Sequence, residues 1–281
     1  MARSSRPIPD SRDNSEKSHM THTTSADGTT IAFDRSGEGP AVIFVQGGFT
    51  DRSHPTWSGL AAALSPHFTV YNYDRRGRGG SGDHEHYAVE REIEDLAALI
   101  KDAGGEAFVF GGSSGGALAL EAAARGLAIT KLAVYEPPYI VGDSRAPLPD
   151  DFQEQLSALI EEGRRGDAVE LFMVQASEVP AEMVAGMRTQ PFWPDVEAVA
   201  HTLPYEAAVV GRGNRLPAER LAGITIPTLA LAGENSPEWL RQGAKAVSET
   251  VRDAEYRVLE GQAHDVSPEA LTPVLKDFFN G

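Results

Sequence analysis

Residues 108–117 read Phe-Val-Phe-Gly-Gly-Ser-Ser-Gly-Gly-Ala: an apolar strand, a glycine-rich turn and the start of an Ala-rich helical stretch. The turn contains the pattern Gly112-x-Ser114-x-Gly116. A serine at so sharp a strand-to-helix turn takes a strained backbone, and small flanking residues let the chain pass closely. Because the turn exposes the hydroxyl at the end of the strand, Ser114 is the predicted nucleophile.

The two residues beside Ser114 receive different interpretations. Gly115 follows it at the predicted start of a helix, where unpaired amides and the helix dipole favour negative charge. Its backbone N–H is therefore a candidate donor to an oxyanion. Ser113 occupies the variable position of the motif and is interpreted as a small residue that fits the turn.

On both sides of this turn, short β-rich runs alternate with amphipathic stretches. Examples are the runs 41–46 and 68–74 and the stretch 89–103, which has Leu96, Leu99 and Ile100 on one face. Strands separated by helices predict an α/β fold with a mostly parallel central sheet and helices on both faces. The longest apolar runs are far shorter than the ~20 residues of a membrane-spanning helix.

The alternation stops between Pro138 and Ile226, where only helix-like segments occur. An all-helical insert between two strands of a parallel sheet is most simply a lid over the strand ends. The predicted organisation is therefore a core of residues 28–137 and 227–281 with a helical cap of residues 138–226. The larger apolar residues of the cap either line a hydrophobic chamber or form its own core: Phe172, Met173, Met183, Met187, Phe192 and Trp193. Residues 1–27 are polar without apolar periodicity, which predicts a disordered N-terminal extension.

Composition excludes several kinds of function. The 281 residues contain 25 Lys and Arg against 41 Asp and Glu, a net charge of −16, so nucleic acid and anionic membranes are poor partners. The chain has no cysteine, which excludes disulfides, thiolate zinc sites and a thiol nucleophile. No cluster has metal-ligand spacing and the predicted chemistry needs no cofactor. We expect a cytoplasmic protein, monomeric or homodimeric, that acts on a hydrophobic small molecule.

From about residue 30 to 279 the chain resembles the α/β-hydrolase superfamily with a helical cap. Besides the serine turn, the resemblance rests on the run 45–48 (Val-Gln-Gly-Gly), the run 74–81 (Asp-Arg-Arg-Gly-Arg-Gly-Gly-Ser) and the run 260–264 (Glu-Gly-Gln-Ala-His). It implies that the Gly48 N–H is the second oxyanion donor and that His264 is the catalytic base. Gln46 stands where relatives usually have histidine, but a backbone donor at Gly48 does not depend on that side chain.

The acid of the expected catalytic triad is displaced. Relatives place an Asp after the penultimate strand, where this chain has the uncharged Ser236. Glu136 ends the strand after the nucleophile's helix, and a subset of the superfamily resembles this arrangement in taking its acid from there. Glu136 is therefore the predicted acid; Glu234, or no acid partner at all, remains open.

These parts imply acyl transfer: Ser114 attacks an ester or lactone, and His264 moves the proton. Phe49, Phe192 and Trp193 are the predicted substrate-binding residues. Two other functions remain open at this point. One is a receptor-like binding protein with little turnover; the other is a non-covalent hydrolase, for example of an epoxide, in which His264 and a carboxylate activate water.

Overall fold

The computed structural model describes residues 20–281. It contains eight strands within that range: β1 (Met20–Thr24), β2 (Thr30–Ser36), β3 (Ala41–Val45), β4 (Thr69–Tyr73), β5 (Ala107–Gly112), β6 (Ile129–Tyr135), β7 (Thr228–Gly233) and β8 (Ala254–Leu259). The α-helices there are α1 (Pro55–Leu64), α2 (Val89–Asp102), α3 (Ser114–Ala124), α4 (Phe152–Glu161), α5 (Arg165–Gln175), α6 (Ala181–Met187), α7 (Trp193–Ala198), α8 (Leu203–Val210), α9 (Ala218–Leu221), α10 (Glu238–Thr250) and α11 (Pro268–Asn280). Short 3-10 turns occur at Ala200–Thr202 and Arg212–Asn214.

The strands form one sheet in the order β1-β2-β4-β3-β5-β6-β7-β8. Strands β3 to β8 run parallel to one another. At one edge β2 pairs antiparallel with β4, and β1 pairs antiparallel with β2. This arrangement confirms the predicted α/β fold with a mostly parallel sheet. Since the carboxyl ends of parallel strands meet at one edge, the loops after β3, β5, β6, β7 and β8 converge there.

Both faces of the sheet are covered by helices. On one face, Leu96, Leu99 and Ile100 of α2 are buried with the apolar side of α3, as the spacing of these residues in the sequence indicates. On the other face, Trp57 of α1 and Phe279 of α11 belong to a second cluster. Strands buried on both sides have nearly continuous apolar sequences, which is why β3 reads Ala-Val-Ile-Phe-Val.

The disordered extension predicted for residues 1–27 is wrong for residues 20–27. Residues 20–24 form β1, which pairs with β2 in the register Met20↔Asp34 to Thr24↔Thr30. The connecting turn is fixed by Asp27, whose carboxylate accepts from the Thr29 N–H and pairs with the buried Arg76. The strand was missed because its residues are polar, so it lacks the alternation of apolar side chains that indicates a strand. Residues 1–19 lie outside the described residues.

Between β6 and β7 the chain forms helices α4–α9 and the two 3-10 turns, with one isolated parallel β-bridge between Ile140 and Arg215. These elements have a separate apolar core, which includes Phe152, Leu156 and Trp193 and extends to Trp239 and Leu240 of α10. That residues 138–226 act as a cap stays a prediction. In the described part of the chain, no helix is both long and apolar enough to cross a membrane.

Candidate active site

The most strained residue of the turn between β5 and α3 is Ser113. Its backbone has φ 55° and ψ −129°, whereas Ser114 is the first residue of helix α3. A positive φ is rare outside glycine, and such strain is typical of functional sites. The strained conformation predicted for Ser114 therefore lies one residue earlier, at Ser113.

The flanking glycines also place Ser113, rather than Ser114, at the centre of the motif. A Cβ on Gly111 would lie 2.6 Å from the carbonyl oxygen of Gly115, and a Cβ on Gly115 would lie 2.2 Å from the carbonyl oxygen of Val45. Both distances are too short for any side chain. The other two glycines are less constrained, since Cβ atoms on Gly112 and Gly116 would meet their nearest atoms at 3.0 and 3.1 Å. The residues that must be glycine are therefore those of Gly111-x-Ser113-x-Gly115.

The hydroxyl of Ser114 is already engaged in a hydrogen bond. Ser114 is buried, and its hydroxyl donates to the carboxylate of Glu206 on α8. That carboxylate also pairs with Arg75 and Arg78. Burial alone would raise the pKa of Glu206, but the two arginines and the Ser114 hydroxyl outweigh it and hold the pKa below its usual range. Glu206 is thus a poor base, and within residues 20–281 no other side chain forms a hydrogen bond with the Ser114 hydroxyl that would activate it as a nucleophile.

His264, in the loop after β8, is held by Glu136. The Nδ1 atom of His264 lies 2.7 Å from Oε2 of Glu136, which is fully buried at the end of β6. A carboxylate in this position fixes the imidazole with Nδ1–H toward the acid, leaving Nε2 as the atom that can accept a proton. The side chain of His264 is 41% exposed and lines both cavities of the site.

Glu136 is positioned by its own backbone and by the neighbouring strand. Its φ is 46°, and its second carboxylate oxygen accepts from the Gly233 N–H at the end of β7, over 2.7 Å. The other candidate acids lie elsewhere. Glu234 accepts from the Gly261 N–H and is exposed. Asp265 lines the cavities beside His264, but among the described residues it forms no hydrogen bond or ion pair with the imidazole. Of the acids weighed from the sequence, the structure brings Glu136 to His264.

The loop after β3, residues 46–50, lies against the serine turn. A Cβ on Gly47 would lie 2.9 Å from the Cβ of Ser113, so only glycine allows this approach. The side chain of Gln46 donates to Asn72 on β4, which anchors the start of the loop where relatives usually have histidine. Gly48, the predicted oxyanion donor, lines the same cavities as Ser113. The strained residue is Ser113, so the amide that follows it belongs to Ser114. This amide is one residue before that of the predicted donor, Gly115.

Two cavities meet at Ser113 and His264. The larger, about 360 Å³, lies between the strand ends and the helical segment, and the smaller, about 140 Å³, lies beside α1. The larger is lined mainly by apolar side chains: Phe49, Pro138, Leu148, Phe152, Phe172, Val210, Trp239 and Leu240. A substrate whose reacting carbonyl lay at Ser113 would extend into both.

Of the three predicted substrate-binding residues, only Phe49 lines the larger cavity, where it packs edge-to-face against Phe172 at 5.6 Å. Trp193 is buried in the core of the helical segment and donates to Glu197, and Phe192 is 47% exposed on the surface. Neither of these two side chains lies at the cavity; in the sequence, an apolar residue of this helical segment is equally suited to the segment's own core or to a chamber.

The titratable side chains that line the larger cavity are His264 and two acids, Glu206 and Asp265. Neither cavity is lined by a Lys or Arg side chain in the described part of the chain. Within residues 20–281 no group of three or more His, Asp or Glu side chains is placed to hold a metal ion.

A parallel sheet with helices on both faces, a strained serine after its central strand and a histidine after its last strand define an α/β hydrolase. A family model described as "Alpha/beta hydrolase family" matches residues 42–273, and the chain belongs to this family. Membership confirms the resemblance found from the sequence and supports hydrolase activity.

Solved structures agree with this assignment. The chain is similar to an alpha/beta hydrolase from Sphaerobacter thermophilus, with 56% identity over 92% of this chain and 100% of that one, and a TM-score of 0.85. It shares its fold with a thermophilic esterase from Thermogutta terrifontis (23% identity, 93% and 98% covered, TM-score 0.70). It also shares it with an enol-lactonase from Burkholderia xenovorans (22% identity, 93% and 100% covered, TM-score 0.67).

Proposed function

We propose that this protein is a cofactor-independent serine hydrolase that cleaves an ester or lactone of a hydrophobic small molecule, with Ser113 in place of Ser114 as nucleophile. The observation that carries the proposal is the strained Ser113, which lines both cavities together with a histidine held by a buried carboxylate. Ser114 is unsuited to the role because its hydroxyl donates to an ionised Glu206.

The reaction follows from these positions. The Ser113 oxygen attacks the carbonyl carbon while Nε2 of His264 takes its proton, and Glu136 stabilises the imidazolium that forms. The tetrahedral oxyanion accepts hydrogen bonds from the amides of Gly48 and Ser114. The imidazolium then protonates the leaving alcohol, which departs as the carbonyl re-forms. In the second half, His264 takes a proton from water, water attacks the acyl-enzyme, and Ser113 leaves with the proton.

The cavities support a neutral substrate. A substrate carboxylate would lie among apolar side chains and near Asp265 with no lysine or arginine of the cavity lining to pair with, and burying an unpaired charge is costly. The net charge of −16 acts in the same direction on approaching anions. We infer an uncharged aryl or alkyl ester, or a lactone, with an apolar part in the larger cavity. Cytoplasmic location and a monomeric or homodimeric state stay predictions.

Labelling with a fluorophosphonate, followed by fragment-ion mapping of the peptide that holds both serines, tests the assignment. We expect the adduct on Ser113, its loss in Ser113→Ala and its retention in Ser114→Ala. Labelling should fall sharply in His264→Ala. An adduct on Ser114 that persists in Ser113→Ala would overturn the assignment of the nucleophile.

Two other outcomes would overturn the covalent mechanism. Turnover of a substrate by wild-type protein that takes no label would favour direct activation of water by His264 and Glu136, as for an epoxide. A folded protein with neither label nor turnover on a panel of neutral esters would favour a receptor-like binding protein.

A further inference from the structure

Beside the proposed oxyanion site lies a group of four charged side chains, Arg75, Arg78, Glu92 and Glu206, which we call the buried charge cluster. Each side chain is at most 2% exposed. Two arginines and two carboxylates make the cluster neutral overall. Burying four charges is costly unless every one is paired, and such a cluster is weak evidence for a role in stability alone.

The two arginines bind consecutive carbonyl oxygens of the loop after β3. Nη1 of Arg75 donates to the carbonyl of Gln46 over 3.2 Å, and Nη1 of Arg78 donates to the carbonyl of Gly47 over 2.6 Å. In a trans peptide, the C=O of one residue and the N–H of the next point in opposite directions. Arg78 therefore fixes the direction of the Gly48 N–H, because that N–H and the Gly47 carbonyl belong to the same peptide group.

Glu206 holds the arginines in this position. Its carboxylate pairs with Arg78 and lies 2.9 Å from Nη1 of Arg75, the same atom that binds the Gln46 carbonyl. Arg75 is held from its other side by two hydrogen bonds of 2.7 Å to Glu92 on α2. A Cβ on Gly48 would lie 3.7 Å from Cγ of Glu206, so the carboxylate lies directly against the loop.

Glu206 also reaches the serine turn. It accepts a hydrogen bond from the hydroxyl of Ser114, whose amide is the second proposed oxyanion donor. A single carboxylate thus binds the side chain next to one donor and the arginine that orients the other. Because Glu206 is on α8, it connects the helical segment to both donors.

We propose that Glu206 is a positioning residue for the oxyanion hole, acting through Arg78 on the Gly48 amide and through Ser114 on the helix start. This proposal rests on the serine mechanism above. Oxyanion donors act on the transition state, so their misalignment lowers kcat and changes KM little. A role in stability alone would instead leave the kinetics of the folded enzyme unchanged.

The variant is Glu206→Gln, which keeps the shape of the side chain and removes its charge. Its matched control is Glu121→Gln. Glu121 is also buried and lies on α3. It pairs with Arg220 of α9, so it too links the helix that follows the serine turn to the helical segment. Among the described residues, none of its hydrogen bonds or ion pairs involves the loop after β3. Both proteins are assayed on a neutral p-nitrophenyl ester and titrated with a trifluoromethyl ketone, which forms an oxyanion on the serine, and with the corresponding secondary alcohol, which does not.

We expect Glu206→Gln to lower kcat about 10²-fold, as for removal of one oxyanion donor, with KM within about threefold of wild type. The affinity for the ketone should fall by a similar factor and that for the alcohol should not. Glu121→Gln should keep the wild-type kcat in its folded fraction. A kcat of Glu206→Gln within about threefold of wild type, or an equal loss of affinity for ketone and alcohol, overturns the proposal.

Should Glu206→Gln fail to fold, Ser114→Ala removes one of the contacts of Glu206 and leaves its ion pairs. It should lower kcat and ketone affinity together by about tenfold, and unchanged values for both would overturn the role of that contact and with it the proposal. A wild-type enzyme that is inert toward esters and fluorophosphonate overturns the proposed function as well. An active wild type with an unimpaired Glu206→Gln overturns this inference only.

Discussion

The hydroxyl of Tyr135 donates a hydrogen bond to the carbonyl oxygen of Ala263, over 2.5 Å. Tyr135 precedes Glu136 in the chain and Ala263 precedes His264, so two adjacent residues at the end of β6 hold two adjacent residues of the histidine loop. The first bond fixes the backbone of the loop and the second fixes the imidazole. Adjacent contacts of this kind restrict where Nε2 of His264 can lie relative to Ser113.

The Tyr135–Ala263 bond predicts a kinetic effect from loss of one hydroxyl. Tyr135→Phe should lower kcat several-fold, by about three- to tenfold, with little change in KM, and cost about 1 kcal/mol of unfolding free energy. The control is Tyr139→Phe, because the buried hydroxyl of Tyr139 has no hydrogen-bond partner among the described residues. Removing it should leave kcat unchanged and stability equal or higher. Equal kinetics for the two variants would contradict the role of Tyr135.

Glu136 is the residue on which the proposed base depends most. Glu136→Gln keeps the size of the side chain but cannot stabilise an imidazolium, so kcat on a p-nitrophenyl ester should fall by about 10³-fold or more. Glu136→Asp retains the charge but shortens the side chain and should retain more activity. Glu234→Gln is the control, since Glu234 contacts Gly261 and not the imidazole. A large loss in Glu234→Gln with a small one in Glu136→Gln would move the acid to the later loop.

The fold could be predicted from the sequence because the parallel strands are buried on both faces and interrupted by amphipathic helices. The position of Glu136 could be predicted too, since it ends the strand beside that of the nucleophile. The nucleophile itself could not be fixed, because Gly111-Gly112-Ser113-Ser114-Gly115-Gly116 contains two overlapping copies of Gly-x-Ser-x-Gly. Only backbone contacts, such as that of Gly115 with Val45, select between the copies.

The remaining site residues had no signal of their own in the sequence. Glu206 lies in α8, far along the chain from Arg75 and Arg78, and nothing in its local sequence indicates an ion pair with either. The residues that line the cavity could not be predicted either, because Phe172 and Trp193 are both large apolar residues of the helical segment. The folded chain places Phe172 at the cavity and Trp193 in the core of the segment.

The close packing of the serine turn predicts that Gly115→Ala destabilises the protein. The added Cβ would lie 2.2 Å from the Val45 carbonyl oxygen and 2.5 Å from that of Gln46, both backbone atoms that cannot move freely. We expect a loss of about 3 kcal/mol or more in unfolding free energy and a lower kcat, measured by denaturant unfolding and ester hydrolysis. The control, Gly186→Ala in exposed α6, meets no atom within 4 Å. It should stabilise by up to ~1 kcal/mol, and similar losses in both would contradict the packing argument.

The larger cavity predicts a change in chain-length preference. Phe172→Ala removes a ring from its lining and makes room for a longer apolar group. The ratio of kcat/KM for p-nitrophenyl octanoate to that for the butyrate should rise about tenfold, because the space left by one ring accommodates about two further methylenes at ~0.8 kcal/mol each. Phe192→Ala removes an exposed ring from the same helical segment and should leave the ratio unchanged. A shift of the ratio in Phe192→Ala alone would place substrate binding at the surface of the cap.

The ion pairs of Glu206 predict that the fold loses stability in acid. Burial raises the pKa of Glu206, but the charges of Arg75 and Arg78 outweigh burial, so the pKa is lowered in the folded protein. A carboxyl whose pKa is lowered on folding contributes stability above its unfolded pKa, and this contribution is lost as the pH falls through the folded value. The unfolding free energy of wild type should therefore exceed that of Glu206→Gln at neutral pH, and the difference should shrink below about pH 4.3, the ordinary value for glutamate.

Urea unfolding at a series of pH values measures this difference. Glu90→Gln is the comparison: the pKa of Glu90 is also lowered, by its hydrogen bond to Arg125, but the side chain is 54% exposed. Solvent screening should make its pH-dependent difference much smaller. If the difference between wild type and Glu206→Gln were constant with pH, or grew as the pH fell, Glu206 would not be ionised in the folded protein. Its pairing with Arg75 and Arg78, and the positioning of the oxyanion donors through them, would then have to be abandoned.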